Sequence, residues 1–286
     1  MKSNIFLILG GDSRSLYLGE YLEKQKLDVC YYAFNDTDCF ESLHEAISNA
    51  CAVILPLPAS RDRVSLNTPL FDDTVLLSDI CTLATPDKFI FGGQLPKSFC
   101  EELTAKAVSF CDYFLLEELA IYNAVPTAEG VVNILIEKLP VTVHNMSCGI
   151  CGYGKVGKAV ADTLIALGAD VTVFARREAA LAEAFSRGAV AENFSRLSSQ
   201  YHTFDALINT IPTKVIGETE MDLLNPDCVI IETASAPFGI DFQEAKEHAL
   251  EVIKASSLPG KVAPKTAGEI IGLSILPIIK QRGLLQ

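Results

Sequence analysis

Positive charge is scarce in this sequence. Its 286 residues include 23 Lys and Arg against 36 Asp and Glu, which gives a formal net charge of −13. Binding to nucleic acid or to an anionic membrane rests on clustered Lys and Arg that neutralise phosphates. We therefore expect neither nucleic acid nor a membrane as a partner. An anionic substrate would have to be held by a few cations placed at its site.

Long apolar runs are missing near the N-terminus. The first run, residues 5–9, is much shorter than a membrane span, and no small-residue cleavage site of the signal-peptide kind follows it. Hydrophobic residues make up 49% of the chain and charged residues 21%, a composition typical of globular α/β proteins. We expect a cytoplasmic protein.

The cysteines lack the spacing of disulfide frameworks and of zinc sites. Nine of them are scattered along the chain, most within apolar segments, which suits a reducing compartment and predicts no metal site. The Cys-x-x-Cys pair, Cys148 and Cys151, lies in a predicted strand, where positions three apart face opposite sides. We therefore do not expect a redox pair. The sequence also shows no Ser-His-Asp arrangement, so positioning should dominate catalysis.

What the sequence does contain is an alternation of short apolar runs with helical patterns, which starts at the N-terminus and restarts after Pro126. This alternation is typical of parallel sheets covered by helices, and the length fits two domains. We predict two Rossmann-like, doubly wound parallel-sheet domains joined by hinge helices. Residues 1–125, completed by the C-terminal helix 265–286, would form a substrate or partner domain, and residues 126–264 a cofactor-binding domain.

The boundaries of the predicted elements follow from the same patterns. Strands are predicted over residues 4–9, 29–34, 52–57, 88–91, 112–115, 146–151, 171–174, 206–209, 229–231 and 252–254. Helices are predicted over residues 14–24, 40–48, 155–167, 177–187 and 264–279. Pro126 is expected to break the chain, so that Thr127 becomes the N-cap of a helix running to about Lys138.

A glycine fingerprint follows the predicted strand 146–151. Residues 152–157 read Gly-Tyr-Gly-Lys-Val-Gly and open a helix, the context in which this motif binds a dinucleotide. Gly152 would permit the tight turn, Gly154 would let the backbone approach the pyrophosphate, and Gly157 would let helix and strand pack closely. We predict that residues Gly152, Tyr153, Gly154, Lys155, Val156 and Gly157 bind the cofactor.

The next strand end indicates which nicotinamide cofactor is bound. NAD enzymes place an acidic residue there for the ribose 2′-hydroxyl, whereas this chain has Ala175, Arg176 and Arg177. Two guanidiniums suit a 2′-phosphate, which they can bind in a bidentate fashion. We therefore predict NADP. The alternative is that both arginines are solvated residues at the start of the next helix.

Further turns should line the cofactor groove, because ligands of open α/β sheets lie beyond the carboxyl ends of the strands. Three turns meet this condition in the predicted second domain. Their residues are Thr210, Ile211 and Pro212, then Ala234 and Ser235, then Pro259 and Gly260.

Four segments resemble the family of dipicolinate synthase A subunits. They are residues 10–14 (Gly-Gly-Asp-Ser-Arg), 121–130 at the predicted domain junction, 208–212, and 258–268 near the C-terminus. The resemblance implies NADP-dependent oxidation of dihydrodipicolinate to dipicolinate, pyridine-2,6-dicarboxylate. It also implies dipicolinic acid biosynthesis in the mother cell of a sporulating bacterium, with a flavoprotein-like B subunit. We further expect a homo-oligomer.

The substrate side needs anchors for carboxylates and at most a modest base. Arg14 and the pair Lys265 and Thr266 stand at predicted helix starts, where carboxylates bind well, and Thr127 could present its hydroxyl and nearby amides as a cap. These four residues are the predicted substrate contacts. No single catalytic residue is assigned, and the candidates are Asp12, Glu129 and Lys265.

Two other functions fit the sequence. An NADP-dependent enzyme like the 2-hydroxyacid dehydrogenases would have a similar two-domain layout, but it would need a histidine base near the C-terminal junction. Residues 258–261, Leu-Pro-Gly-Lys, contain none. A non-catalytic subunit could also bind the cofactor while its partner carries out the chemistry.

Overall fold

The computed structural model describes residues 4–199 and 201–284, and the chain divides into two compact units. Unit 1 comprises Met1–Tyr122 together with Ala263–Gln286, and unit 2 comprises Asn123–Val262. Each unit contains one parallel sheet with helices packed on it. The predicted fold class, two doubly wound Rossmann-like domains, is confirmed.

Unit 1 contains a five-stranded sheet in the order β2-β1-β3-β4-β5. Its strands are β1 (Ile5–Leu9), β2 (Asp28–Tyr32), β3 (Ala50–Ile54), β4 (Phe89–Gly92) and β5 (Ser109–Asp112). Its helices are α1 (Ser13–Lys24), α2 (Leu43–Asn49), α3 (Leu77–Leu83), α4 (Lys97–Ala105) and the C-terminal α11 (Pro264–Gln281). The order reverses between β1 and β3, and ligands of such sheets bind at this reversal.

The alternating side chains of β1 divide the interior of unit 1 into two cores. Leu7 and Leu9 face the core beneath α2, α3 and α4, whereas Phe6 and Ile8 face the core beneath α1 and α11. All four side chains are at most 1% exposed. A strand buried on both faces gives the continuous apolar run from which β1 was predicted.

The strand predicted over residues 112–115 is placed too late. β5 ends at Asp112, and Tyr113–Leu115 form a single 3₁₀ turn. The side chain of Asp112 caps this turn by accepting from the Phe114 N–H at 3.0 Å, and it also accepts from Leu95 N–H at 2.9 Å. An aspartate that accepts from nearby backbone N–H groups favours a turn over a continued strand.

The predicted helix start at Thr127 is wrong. Helix α5 runs through Glu117–Lys138, with Pro126 inside it. The proline removes only one N–H donor, and packing on both sides of it outweighs that loss. The Thr127 hydroxyl donates to the Asn123 carbonyl at 2.6 Å, the bond typical of a threonine in mid-helix. Thr127 is therefore not a cap and offers no free helix N-terminus to a ligand.

Helix α5 contributes to the cores of both units. Leu119 packs in the core of unit 1, whereas Ala128, Val131 and Leu135 pack in the core of unit 2. Among the residues that the structure describes, α5 is also the one helix long and apolar enough to cross a membrane, by length and composition only.

Unit 2 contains a six-stranded parallel sheet in the order β11-β10-β9-β6-β7-β8. Its strands are β6 (Ser147–Cys151), β7 (Asp170–Ala175), β8 (Val190–Asn193), β9 (Ala206–Asn209), β10 (Val229–Glu232) and β11 (Val252–Lys254). Its further helices are α6 (Lys155–Ala166), α7 (Glu178–Ser186), α8 (Glu218–Met221), α9 (Phe242–Glu247) and α10 (Leu258–Val262). Counted from β6, this is the 3-2-1-4-5-6 order of dinucleotide-binding domains, which reverses between β6 and β9.

Three details of unit 2 bear on the sequence predictions. Cys148 and Cys151 are fully buried and belong to different cores on opposite faces of the sheet, so they do not form a pair. Strand β8 and the short helices α8 and α9 were not predicted. Residues 258–260, predicted as a turn, form the first part of α10 instead, because proline fits the first turn of a helix.

Candidate functional site

The turn from β6 to α6 is built around Gly152. Its φ of +98° lies in a region that side chains disfavour, and its N–H donates to the Phe174 carbonyl at 2.9 Å. A Cβ on Gly152 would lie 2.5 Å from Thr210 Oγ1 and 2.8 Å from Ile211 Cγ1. Only glycine therefore lets the carboxyl ends of β6 and β9 come this close.

The other two glycines of the fingerprint differ in the space around them. A Cβ on Gly157 would collide with the carbonyl oxygen of Gly152, so this glycine permits the close approach of helix α6 to the turn. A Cβ on Gly154, the N-cap of α6, would meet nothing within 4 Å. The backbone thus leaves an open space at the helix N-terminus, where a pyrophosphate binds to N–H groups. The residues present fit a dinucleotide.

The remaining fingerprint residues differ in exposure. The Tyr153 ring is 5% exposed, and the ammonium group of Lys158 lies 5.6 Å from its centroid. Tyr153 can therefore offer a ligand little more than its backbone. Lys155 is exposed and Val156 is half-buried at the start of α6.

Thr210 fastens the turn after β9 to the turn after β6. Its N–H and its hydroxyl both donate to the Cys151 carbonyl, each at 2.9 Å. Ile211 is half-buried and Pro212 is exposed. Thr210 and Ile211 therefore lie beside Gly152 at the point where the strand order reverses.

The two arginines follow β7, the strand next to β6. Ala175 ends this strand with 5% exposure, and both Arg176 and Arg177 are exposed at the start of α7. Neither guanidinium forms a salt bridge in the part of the chain that the structure describes. Both are therefore available to an anionic ligand at the carboxyl edge of the sheet.

A second glycine turn lies at the reversal point of unit 1. Gly10 and Gly11 have φ values of +66° and +110°, and they connect β1 to α1. Asp12 caps α1 by accepting from the Arg14 N–H at 3.0 Å. The Arg14 side chain returns to the same carboxylate, with Nε 2.9 Å from Oδ1 and Nη2 2.8 Å from Oδ2.

Arg14 is held from a second direction as well. Its Nη2 also donates to the Leu57 carbonyl in the segment after β3, and the residue is only 8% exposed. A guanidinium fixed by three hydrogen bonds loses little side-chain entropy when it binds a further carboxylate. Its Nη1 makes no hydrogen bond within the described part of unit 1.

Asp12 is a weaker candidate for the base than its position in the sequence suggests. Burial alone would raise its pKa, but the hydrogen bonds and charge of Arg14 outweigh burial and lower the pKa of this carboxyl. A lowered pKa makes the carboxylate a weaker proton acceptor. Glu129 is exposed in the middle of α5, not in the first turn of a helix as predicted, and it belongs to unit 2 rather than to the unit that contains Arg14.

Lys265 and Thr266 stand at the same end of unit 1 as Arg14. They occupy the exposed first turn of α11, which packs side by side with α1. A Cβ on Gly268 would collide with the Arg14 carbonyl, and one on Gly272 would collide with Tyr21. The two helices therefore run parallel, and their N-termini point in the same direction.

Comparison with known proteins identifies the family. A model of the N-terminal domain of the dipicolinate synthase A subunit matches residues 5–114. The NAD-binding domain of D-isomer specific 2-hydroxyacid dehydrogenases matches residues 133–239. The chain is 30% identical to the dipicolinate synthase A subunit of Bacillus subtilis (strain 168) over 274 residues, with 92% of each chain covered. The chain belongs to the family of dipicolinate synthase A subunits.

Solved structures of the family have the same fold. The dipicolinate synthase A subunit from Bacillus halodurans matches with a TM-score of 0.89 and 25% identity, covering 98% of this chain and 99% of that one. The Bacillus subtilis protein matches with a TM-score of 0.87 and 29% identity, covering 99% and 98%. A transhydrogenase from Sinorhizobium meliloti, at 14% identity and a TM-score of 0.71 over 96% and 94%, shares the fold. The predicted resemblance is confirmed.

For this member of the dipicolinate synthase family, unit 2 is a dehydrogenase-type domain for a nicotinamide cofactor. The match to the 2-hydroxyacid dehydrogenases is limited to residues 133–239, so it accounts for the cofactor domain and not for the whole chain.

One of the predicted rim segments has less structural support. Pro259 and Gly260 lie in α10, which follows the edge strand β11, and two strands separate β11 from β6. Ala234 and Ser235 follow β10 after Thr233, whose N–H and hydroxyl donate to the Asn209 carbonyl at the end of β9. The turns after β9 and β10 are therefore the better candidates for the rim of the site.

The sequence analysis missed a buried carboxylate beneath this rim. Glu232 is 1% exposed, and its oxygens accept from the Asn209 amide, the Ala234 N–H and the Gly239 N–H at 2.8–2.9 Å. Burial raises the pKa of Glu232, against the effect of these hydrogen bonds. The signal that could have revealed it is a glutamate and an asparagine ending two adjacent apolar strands.

Proposed function

We propose that the chain is the NADP-dependent dehydrogenase component of a dipicolinate synthase, and that it oxidises dihydrodipicolinate to pyridine-2,6-dicarboxylate. The observation that carries the cofactor part is the exposed pair Arg176 and Arg177 beside the glycine turn. The substrate part is supported by the relative in Bacillus subtilis, which is named as the A subunit of dipicolinate synthase.

The proposed cofactor site follows the carboxyl edge of the sheet in unit 2. The N–H groups at the start of α6 would hold the pyrophosphate, and Arg176 and Arg177 would hold the 2′-phosphate. The nicotinamide end would lie against the rim made by Thr210, Ile211, Pro212, Ala234 and Ser235. Bound NADP⁺ supplies the acceptor for a hydride.

The proposed substrate site lies at the reversal point of unit 1. Arg14 offers a fixed guanidinium, and Lys265 and Thr266 offer an ammonium group and a hydroxyl beside the N-terminus of a parallel helix. Carboxylates form strong charge-assisted bonds with such groups. Aromatisation removes one hydride and one proton from the ring, so the chain has to orient the ring rather than activate a nucleophile. The proton acceptor is left open, with Lys265 as the remaining candidate.

The setting is proposed on the same basis. The relative's name describes one component of an assembly, which supports a partner, and we propose a flavoprotein-like B subunit. We also propose a homo-oligomer in the cytoplasm of the mother cell of a sporulating bacterium.

The test is a reconstituted reaction. The purified chain is mixed with NADP⁺ and freshly generated dihydrodipicolinate without oxygen, which would oxidise the substrate by itself, and with or without a candidate B subunit. We expect pyridine-2,6-dicarboxylate and NADPH to accumulate in equal amounts. No acceleration in either mixture would refute the enzymatic proposal.

The same assay separates a catalytic from a non-catalytic subunit. If the chain only binds the cofactor while its partner reacts, the flavin of the B subunit would be the oxidant, and up to one product per flavin should form when NADP⁺ is omitted. That result would replace the dehydrogenase proposal by the cofactor-binding one.

A further inference from the structure

Arg61 lies in the segment that follows β3, and this segment contacts the proposed substrate site through Pro56 and Leu57. This segment packs on the turn after β1, since a Cβ on Gly11 would lie 2.9 Å from Pro56 Cβ. Four residues before Arg61, the Leu57 carbonyl accepts from the Arg14 guanidinium. Arg61 therefore lies on the same loop as the carbonyl group that anchors Arg14.

The loop that carries Arg61 is braced on both sides. Before it, the Ala59 N–H donates to the Gly93 carbonyl at 2.7 Å. After it, Asp62 accepts from the N–H groups of Val64 and Ser65 at 2.8 and 2.7 Å. Arg61 is exposed on this rigid loop and forms no salt bridge among the described residues.

Asp12 is influenced by the charges of both arginines. It is bonded directly to Arg14, and the charge of Arg61 also contributes to lowering the pKa of Asp12. Because Asp12 is already paired with Arg14, the guanidinium of Arg61 is a second cation that no salt bridge neutralises within the described residues. The chain as a whole carries a net charge of −13, so such a cation matters for capturing an anion.

We propose that Arg61 binds the second carboxylate of a dicarboxylate whose first carboxylate is held at Arg14, and that Arg61 thereby selects dicarboxylates over monocarboxylates. This inference rests on the proposed function, because it assigns the substrate class of the same site. One buried and one exposed guanidinium, on two braced segments that pack together, present two separate binding points for a small, rigid dianion.

The test compares two product-like ligands by calorimetry on the full chain: pyridine-2,6-dicarboxylate and pyridine-2-carboxylate. Because Arg61 is exposed and its charge is screened, Arg61→Gln should weaken dicarboxylate binding roughly threefold to tenfold and leave monocarboxylate binding unchanged. Arg61→Lys should restore part of the difference, because it keeps the charge without the forked geometry.

Arg63→Gln is the matched control. Arg63 is exposed two residues further along the same loop, where it lines a groove with Leu77 and Phe99. The Arg63→Gln variant should bind the dicarboxylate and the monocarboxylate as tightly as the wild type does. Thermal unfolding should show that both glutamine variants fold like the wild type. Equal dicarboxylate binding by Arg61→Gln and wild type would overturn the role of Arg61 and leave the proposed function intact. If the wild type does not prefer the dicarboxylate, the proposed substrate class fails as well.

Discussion

Glu232 and Asn209 are register partners at the carboxyl ends of β10 and β9, and the Asn209 amide donates to both carboxylate oxygens at 2.8 Å. Asn209 also donates to the Ile211 carbonyl at 2.9 Å and accepts from the Ile211 N–H at 3.1 Å. Since Glu232 further accepts from the N–H of Ala234 and of Gly239, this pair connects the turns after β9 and β10, the proposed rim of the cofactor site.

Glu232→Gln should destabilise unit 2. The new amide group brings a donor to a place where every neighbour already donates, and a buried donor left unsatisfied costs about 1–3 kcal/mol. We expect a decrease of that size in the free energy of unfolding, measured with denaturant. Glu247→Gln, at an exposed position in α9, should change it by less than about 0.5 kcal/mol.

The exchanged pair tests whether the hydrogen bond itself matters. In the double variant Asn209→Asp with Glu232→Gln, the amide at 232 can donate to the carboxylate at 209. We expect it to recover about 1 kcal/mol relative to Glu232→Gln alone. Strict additivity of the two single changes would contradict a direct coupling between these side chains.

Gly154→Ala and Gly157→Ala should affect different properties. Gly154→Ala adds a methyl group to open space at an extended backbone position, so the protein should stay folded. NADP binding should weaken roughly tenfold, because the methyl group occupies the space proposed for the pyrophosphate. The second drives a methyl group into the Gly152 carbonyl and should cost about 1–3 kcal/mol of stability.

The measurements are calorimetric titration with NADP⁺ and thermal unfolding of each variant. A Gly154→Ala protein that binds NADP⁺ as tightly as the wild type would show that the cofactor does not use the N-terminus of α6. A Gly157→Ala protein of wild-type stability would show that the turn can relax away from the helix.

The glycine fingerprint could be predicted from sequence because each requirement is local: a positive φ at Gly152 and the start of a helix at Lys155. Glu232 could not, because its burial and its partners depend on the register of two strands that are 23 residues apart. The helix boundary predicted at Pro126 is wrong for a related reason. Its local preference ends a helix, but the cores on either side keep α5 continuous.

For Arg61 the sequence leaves two interpretations open, because Arg61 and Arg63 in the loop after Pro56 could form a basic lip or merely a solvated turn. The role proposed for Arg61 depends on the contact between the turn after β1 and the segment after β3. Such a contact is set by the strand order of unit 1, in which β1 and β3 are adjacent although β2 lies between them in the chain.

The double change Arg176→Ala with Arg177→Ala should remove the preference for NADP. Both side chains are exposed, so their contribution is limited by screening, and we expect a loss of roughly tenfold in NADP affinity with NAD affinity unchanged. Calorimetry with both cofactors measures the ratio. Arg196→Ala, at another exposed arginine of unit 2, is the control. The NADP assignment is wrong if the wild type binds NAD as tightly as NADP.

Asp12 should make the protein sensitive to acid. The pKa of Asp12 is lower in the folded chain than in the unfolded chain. The ionised carboxylate therefore stabilises the fold at any pH above its unfolded pKa of about 3.9. This stabilisation is lost as the pH falls through the lower pKa of the folded chain. Asp12→Asn keeps the cap but loses the charge. It should be less stable than the wild type at pH 7 by up to about 1 kcal/mol, and the difference should shrink below about pH 4.

Urea unfolding between neutral and acid pH measures this difference, with circular dichroism as the probe because the chain has no tryptophan. Asp170→Asn, at an exposed position at the start of β7, should follow the wild type at every pH. If the gap between Asp12→Asn and the wild type stays constant down to acid pH, the loss has a structural origin, and the ion pair with Arg14 does not stabilise the fold.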